Sequence, residues 1–209
     1  MAPNIRFKLL IGLLIITTTL AVIGFMPQKV DKAVVNKTEN EDAKTNVIKA
    51  QLWDNYVHLI KDEGRQISDS ITVRDTADVK YSIKQLLNRK YKLIFRYSLL
   101  DCEVCVDTVM KKMDLYSKRH GLKDILVLTD AFNQRDFYIR ATYYKYPFPL
   151  YNLNRVNLGM SIEDKDFPYL FVLTPELRVI KVFIPAKELA AQIDDYLSYV
   201  TDYLKTVND

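Results

Sequence analysis

Cysteine and histidine are scarce in this 209-residue chain, which contains two of each. Cysteine and histidine are the usual protein ligands of zinc, and four such residues are few for a metal site of that kind. No Gly-rich phosphate loop, no His-Glu-x-x-His and no Gly-x-Ser-x-Gly occurs, so the familiar signs of several enzyme classes are missing. The formal charge is only +4 and no basic run stands out, so we expect no nucleic-acid partner.

Charge is absent from residues 9–26, LLIGLLIITTTLAVIGFM, which follow the basic Arg6 and Lys8. This run reaches the lower edge of what crosses about 30 Å of hydrocarbon as a helix. Only a poor small-x-small cleavage site follows, and no cysteine that could accept a lipid, so an uncleaved signal anchor is favoured over a cleaved peptide. Because the basic side stays inside, we predict a cytoplasmic segment 1–8, a single-pass inner-membrane anchor and a periplasmic remainder.

Three regions are predicted after the anchor. Residues 27–45 are polar and lack apolar periodicity, so they are interpreted as a tether. Residues 46–78 form an N-terminal helical extension, in which apolar residues recur on one helix face between Val47 and Ile60. Residues 79–209 form the main domain, which opens with a short helix predicted over Val79 to Leu87.

Beyond that helix, compact apolar runs typical of buried strands alternate with amphipathic segments. The predicted strands and helices, in chain order, are a strand at 91–98, a helix from Cys102 to His120-Gly121, a strand at 124–130, a helix at 132–145, strands at 150–156, 168–174 and 178–184, and a closing helix from Leu189 to Leu204. Strands joined by helices imply a parallel sheet, whereas the last two strands form a hairpin. The fold class is α/β, one mixed sheet flanked by helices.

The two cysteines, Cys102 and Cys105, form a Cys-Glu-Val-Cys motif between a strand and a helix. At a helix start, unpaired N–H groups and the helix dipole favour a thiolate at Cys102. Cys105 lies nearly one turn later on the apolar stripe, so it should face inward. An exposed attacking sulfur and a sheltered resolving sulfur are what thiol–disulfide exchange needs. We therefore predict a redox-active Cys102–Cys105 disulfide and no cofactor.

The motif and its surroundings resemble the thioredoxin-fold family, more closely its membrane-anchored TlpA/ResA-like thiol–disulfide oxidoreductases. The matching stretches are KLIFRYSLLDCEVC and DFPYLFVLTPELRVIKVF, within residues 79–209. The resemblance implies a thioredoxin-like fold in which Pro168 takes the place of the family's cis-proline, beside the cysteines. With Phe167, which precedes it, Pro168 would shape the substrate groove. The long stretch between Cys105 and Pro168 is similar to the extra segment of the TlpA-like branch.

The charges near the cysteines depart from the family pattern. Asp101 replaces the usual Trp before the first cysteine, and Arg96 stands where thioredoxins often carry a buried carboxylate. Asp101 and Glu103 oppose a thiolate, while the helix terminus and Arg96 favour it. A less stabilised thiolate makes the dithiol a better reductant. We predict a reductase of disulfides in exported proteins that takes its electrons from a membrane or periplasmic dithiol donor.

Two other functions stay open at this point. The fold could have lost activity and serve as a thioredoxin-like binding module, with the cysteines as small buried hydrophobes. A copper-handling protein would use the same thiolates with a nearby histidine. His120, however, lies about 27 Å from Cys102 by helical rise and is assigned to a surface helix end. His58 falls in the N-terminal helical region, so we predict no metal site.

Tyrosines are concentrated between Tyr138 and Tyr151, where they would cover a core edge or present a specificity surface. The acidic pairs Glu163-Asp164 and Asp194-Asp195 are interpreted as solvated loop and helix faces rather than acid–base dyads.

Overall fold

The computed structural model describes residues 32–98, 100–145, 147–165, 167–185 and 190–209. The predicted segments 1–8 and 9–26 lie outside these ranges. Among the described residues, no helix combines the length and apolar character that a bilayer crossing requires. Residues 52–209 form one compact unit, separate from the chain before residue 52.

Helices and strands alternate through the described chain. The helices are α1 Lys32–Asp62, α2 Ile83–Leu87, α3 Glu103–His120, α4 Gln134–Tyr144, a 3₁₀ helix Ser161–Lys165 and α5 Ala190–Asn208. The strands are β1 Thr72–Arg74, β2 Lys80–Ser82, β3 Lys92–Ser98, β4 Ile125–Asp130, β5 Leu150–Asn152, β6 Tyr169–Leu173 and β7 Val179–Phe183. The predicted order of the main domain, β-α-β-α-β-β-α, is confirmed from β3 to α5.

All these strands belong to one mixed sheet with the order β2-β1-β5-β4-β3-β6-β7. The central strands β3, β4 and β5 are parallel, as expected for strands joined by helices. β6 runs antiparallel to β3, and β7 pairs with β6 as the predicted hairpin. β1 and β2 add a short antiparallel pair beside β5.

Strand β3 is buried on both faces, which explains its nearly continuous apolar sequence. Its alternating side chains separate two cores. Leu93, Phe95 and Tyr97 pack with residues of α3 and α5 on one face, whereas Ile94 packs into the core of the other face. The carboxyl ends of β3 and β4 meet at the same end of the sheet, because Ser98 pairs with Asp130.

The N-terminal helix differs from its prediction in two ways. It begins at Lys32, well before Val47, so the part of the predicted tether from residue 32 onward is helical. Before Val47 the helix is rich in Lys, Ala and Glu, which are good helix formers by intrinsic propensity. The apolar residues predicted to share one face are largely in solvent, with Tyr56 52% and Ile60 59% exposed.

The helix predicted from Val79 to Leu87 is shorter than expected. Its first part forms β2, and α2 begins only at Ile83. Ser82 explains this boundary, because its hydroxyl accepts a hydrogen bond from the Gln85 backbone while the Gln85 side chain bonds back to the Ser82 N–H. This reciprocal capping box marks a helix start.

Gly121 ends α3, as the sequence predicts, and adopts a left-handed φ of 72°. A Cβ added there would meet no atom of the described residues within 4 Å, so the cost of a side chain is conformational. We expect Gly121→Ala to lower the free energy of unfolding by about 1 kcal/mol. Gly121→Asn should lose less, since asparagine tolerates this conformation. Urea unfolding measures both, and an equal loss in the two variants would contradict this explanation.

Candidate active site

The two cysteines lie at the start of α3, directly after the turn that leaves β3. Cys102 is the N-cap residue, and its carbonyl accepts hydrogen bonds from the Cys105 N–H at 2.9 Å and the Val106 N–H at 3.0 Å. Cys102 is exposed and Cys105 is half-buried. The first sulfur-bearing residue is therefore accessible at a helix N-terminus, and the second lies one turn later and more sheltered.

The turn before Cys102 is held by Asp101. This residue is buried, and its Oδ2 accepts the Ser98 N–H at 2.7 Å, while its own N–H donates to the Ser98 carbonyl at 3.2 Å. The carboxylate that the sequence marks as a charge beside Cys102 thus also fixes the loop that positions it. Glu103 is exposed in the first turn of α3, where the helix dipole favours a negative charge.

A narrow cleft opens beside the cysteines, between β3, α3 and α4. Its lining residues are Tyr97, Ser98, Asp101, Glu103, Val106, Asp107 and Arg140. Burial raises the pKa of Tyr97, although the nearby positive charge of Arg140 opposes this. The lining therefore includes the carboxyl groups of Asp101, Glu103 and Asp107 and the guanidinium of Arg140.

Phe167 and Pro168 precede β6, whose first residue Tyr169 pairs with Arg96 near the end of β3. This register brings the Phe167–Pro168 segment to the sheet end that carries the Cys102 turn. Pro168 is buried and Phe167 is 37% exposed. No peptide bond of the described residues is cis, so the expected cis geometry before Pro168 is wrong. The bond has the trans form that most X–Pro bonds adopt.

Arg96 lies on the face of β3 opposite Tyr97, and it is buried. Its guanidinium is 3.8 Å from Asp130 Oδ2 and 3.7 Å from Glu163 Oε1. Two carboxylates therefore balance the positive charge that the sequence assigns to tuning the cysteines. A buried guanidinium needs such partners, because desolvating an unpaired charge is costly.

Glu163 is buried, with 2% of its side chain exposed, so its interpretation as a solvated loop residue is wrong. Its two oxygens accept the N–H groups of Leu158 and Met160, each at 3.1 Å. Burial raises the pKa of Glu163, while these hydrogen bonds and Arg96 act in the opposite direction. Only the presence of Arg96 inside an apolar strand could have signalled such a buried acid.

The helices α3 and α5 pack on one face of the sheet, as the predicted fold requires. Val109 and Met113 of α3 pack in one core with Leu197 and Val200 of α5, on the same face of the sheet. The β6–β7 hairpin lies antiparallel beside β3, and the cysteine motif opens the helix that follows β3. The chain has the thioredoxin fold.

No family model and no curated protein matches the sequence. Solved structures of similar fold include a thiol:disulfide interchange protein from Bacteroides sp., with 14% identity, covering 65% of this chain and 90% of that chain at a TM-score of 0.44. The exposed lipoprotein thioredoxin of Streptococcus pneumoniae has 14% identity, coverage of 64% and 98%, and a TM-score of 0.47. Peroxiredoxin Q of Xanthomonas campestris has 14% identity, coverage of 68% and 99%, and a TM-score of 0.49.

The two histidines and the acidic pair at Asp194 are the other residues for which the sequence predicts a role. His120 is exposed at the end of α3, as predicted, whereas His58 is buried in α1. Across the described ranges, no group of three or more His, Cys, Asp or Glu side chains could hold a metal ion. Asp194 pairs with Lys112 at 2.5 Å on the helix surface.

The tyrosine-rich stretch does not form one surface. Tyr138 and Tyr143 are exposed on α4, with 55% and 79% of their surface in solvent. Tyr151 is half-buried and packs edge-on against Tyr81, with ring centroids 5.9 Å apart. Tyr146 and the side chain of Tyr144 lie outside the description. Tyr151 therefore covers a core edge, as one of the two predictions has it, while the specificity surface stays a prediction.

The raised pKa of Glu163 makes stability depend on pH. Because the folded state favours the protonated carboxyl, the free energy of unfolding should fall as pH rises from about 4.3, the ordinary glutamate value, through the folded pKa. Glu163→Gln removes this titration, so its curve should be flatter. Urea unfolding at several pH values measures the slope. Glu176→Gln, at an exposed turn, is the control and should keep the wild-type slope, whereas an unchanged slope in Glu163→Gln would contradict the assignment.

Proposed function

We propose that this chain is a thiol–disulfide oxidoreductase that reduces disulfides in exported proteins. One observation carries the proposal: Cys102 is exposed as the N-cap of α3, and half-buried Cys105 follows one turn later. The helix N-terminus supplies unpaired N–H groups and a positive partial charge, which favour a thiolate at Cys102. The thioredoxin fold adds the Phe167–Pro168 segment at the same end of the sheet.

The reaction has two exchange steps. The Cys102 thiolate attacks one sulfur of a substrate disulfide; the substrate S–S bond breaks, a mixed disulfide forms, and the other substrate sulfur leaves as a thiolate that takes a proton. The Cys105 thiolate then attacks Cys102 Sγ, so the second substrate thiol is released and the Cys102–Cys105 disulfide forms. The substrate gains two electrons from the dithiol. A membrane or periplasmic dithiol donor must return them.

The charge balance of the cleft supports reduction rather than oxidation of substrates. Asp101, Glu103 and Asp107 line the cleft beside Cys102, together with Arg140. An excess of negative charge beside Cys102 destabilises its thiolate, and a less stable reduced form has a lower potential. Arg96 does little to alter this balance, because Asp130 and Glu163 compensate its charge.

We also propose the TlpA/ResA-like branch and a periplasmic location for the domain. The segment from α4 through β5 to the 3₁₀ helix, inserted between β4 and β6, supports the branch. The uncharged run at residues 9–26 supports a membrane anchor. Disulfide-bearing substrates belong to such an oxidising compartment.

Single-cysteine variants should separate the roles of the two thiols. Cys105→Ser should accumulate a mixed disulfide between Cys102 and a peptide that contains one disulfide, because the resolving thiol is missing. Cys102→Ser should form none, because the attacking thiol is missing. Non-reducing electrophoresis and mass spectrometry of the adduct provide the measurement, with the double Ser variant as control.

Two outcomes would contradict these roles. Equal adduct formation by Cys102→Ser would show that the thiols are not specialised. Absence of any adduct, together with peptide binding that survives both substitutions, would favour the binding module instead. That module is the alternative that the altered motif surroundings at Asp101 and Glu103 keep open.

The negative charge of Glu103 should lower the midpoint potential of the cysteine pair. Glu103→Gln removes that charge, stabilises the thiolate and should raise the potential by about 10–20 mV, a small shift because the residue is exposed. A glutathione redox titration measures it, and Glu176→Gln serves as the distant control. A potential that falls, or that lies near about −120 mV in the wild type, would contradict a reductase.

A further inference from the structure

The last turn of α1 contacts the 3₁₀ helix that precedes the Phe167–Pro168 segment. Asp62 is fully buried there, and its carboxylate accepts three hydrogen bonds from the 3₁₀ helix: from Ser161 N at 2.8 Å, Ser161 Oγ at 3.0 Å and Ile162 N at 3.2 Å. Arg65 Nε donates to the same carboxylate at 3.0 Å. Hydrogen bonds of this kind, with a charged acceptor, are shorter and stronger than neutral ones.

Two further residues of α1 hold the same short helix. His58 Nδ1 lies 2.8 Å from Ser161 Oγ, and since that hydroxyl donates its proton to Asp62, the imidazole is the donor. Asp54 pairs with Lys165, the last residue of the 3₁₀ helix, at 3.0 Å. The N-terminal helix therefore contacts both the first and the last residue of the 3₁₀ helix.

The 3₁₀ helix is connected to the candidate active site in two ways. Its Glu163 reaches Arg96 of β3, two residues before the end of the strand that leads to Cys102. Its last residue, Lys165, is separated by one residue from Phe167. A shift of this helix would therefore move the Phe167–Pro168 segment relative to the cysteines.

Polar groups predominate in the contact that α1 makes here, although Leu59 also packs against the core that contains Ile162. Asn55, His58 and Asp62 are buried against the domain, whereas Trp53 and Ile60 are 67% and 59% exposed. Apolar contacts tolerate sliding, but a buried carboxylate is stable only where its donors are in place. The polar contact therefore fixes the position of the 3₁₀ helix more sharply than an apolar one would.

We propose that Asp62 is a positioning residue of the redox site: through Ser161 and Ile162 it holds the 3₁₀ helix, and thereby the Phe167–Pro168 segment, in the place where a substrate polypeptide binds. The proposal rests on the proposed function and adds the N-terminal helix to the substrate site. It assigns no step of the thiol chemistry to Asp62. Cys102 and Cys105 carry out the exchange as described above.

The test uses the full chain with Asp62→Asn, with Ser161→Ala as a milder variant and with Ser68→Ala, an exposed serine, as matched control. The kcat and KM are measured for reduction of a peptide that contains one disulfide. We expect KM to rise about tenfold in Asp62→Asn and about threefold in Ser161→Ala, in line with the loss of one charge-assisted or one ordinary hydrogen bond. The kcat should change little, and Ser68→Ala should match the wild type.

Two readouts distinguish positioning from a general loss of structure. The rate at which iodoacetamide alkylates Cys102 and the midpoint potential report the cysteines without any bound polypeptide, so both should stay at wild-type values. An unchanged KM in the folded variants, or a joint change of KM, alkylation rate and potential, would overturn the positioning role. If Asp62→Asn does not fold, Ser161→Ala decides. A wild-type chain that reduces no disulfide would instead overturn the proposed function.

Discussion

The pairing of β3 with its two neighbours is the constraint on which the site depends. Its register with β4 and β6 brings Ser98, Asp130 and Tyr169 to one end of the sheet. The turn that ends in Cys102 leaves from this end, and the Phe167–Pro168 segment enters it. A shift of one residue in this pairing would turn Arg96 into the core of α3 and α5 and Tyr97 away from it. The two faces of β3 therefore determine both the core and the electrostatics of the site.

Helices and strands that are marked by neighbouring residues could be predicted well from the sequence. The apolar run of β3, the stripe of α3 and the stop at Gly121 each depend on neighbouring residues only, and so does the position of Cys102 as a helix N-cap. The shorter strands and helices are harder to predict. β2 carries no apolar run that would distinguish it from a helix, and only its pairing with β1 makes it a strand. Its sequence pattern alone therefore predicts a continuation of α2.

Buried charge is where sequence reasoning fails, and the physical reason is the same in each case. Arg96 is visible as a cation in a buried strand, but nothing local says that Glu163, far along the chain, will be its partner. The same holds for Asp62, because the groups that donate hydrogen bonds to its carboxylate belong to Ser161 and Ile162, which are distant in sequence. A long-range hydrogen bond reverses the ordinary expectation that acids are exposed. In α1 the same contacts go with an unexpected orientation of the helix: Asp62 is buried, whereas Trp53 and Ile60 face solvent.

These long-range contacts divide the site into two parts with different physical tasks. The charges that act on the thiols come from residues close to the motif: Asp101 and Glu103 beside Cys102, and Asp107 one turn further along α3. The contacts that we propose to position the Phe167–Pro168 segment join α1 to the 3₁₀ helix. Because the first set lies at the start of α3 and the second on α1 and the 3₁₀ helix, we expect a change in one set to leave the other largely intact. The midpoint potential and substrate binding could then be adjusted separately, which would suit the proposed exchange reaction with disulfides of different proteins.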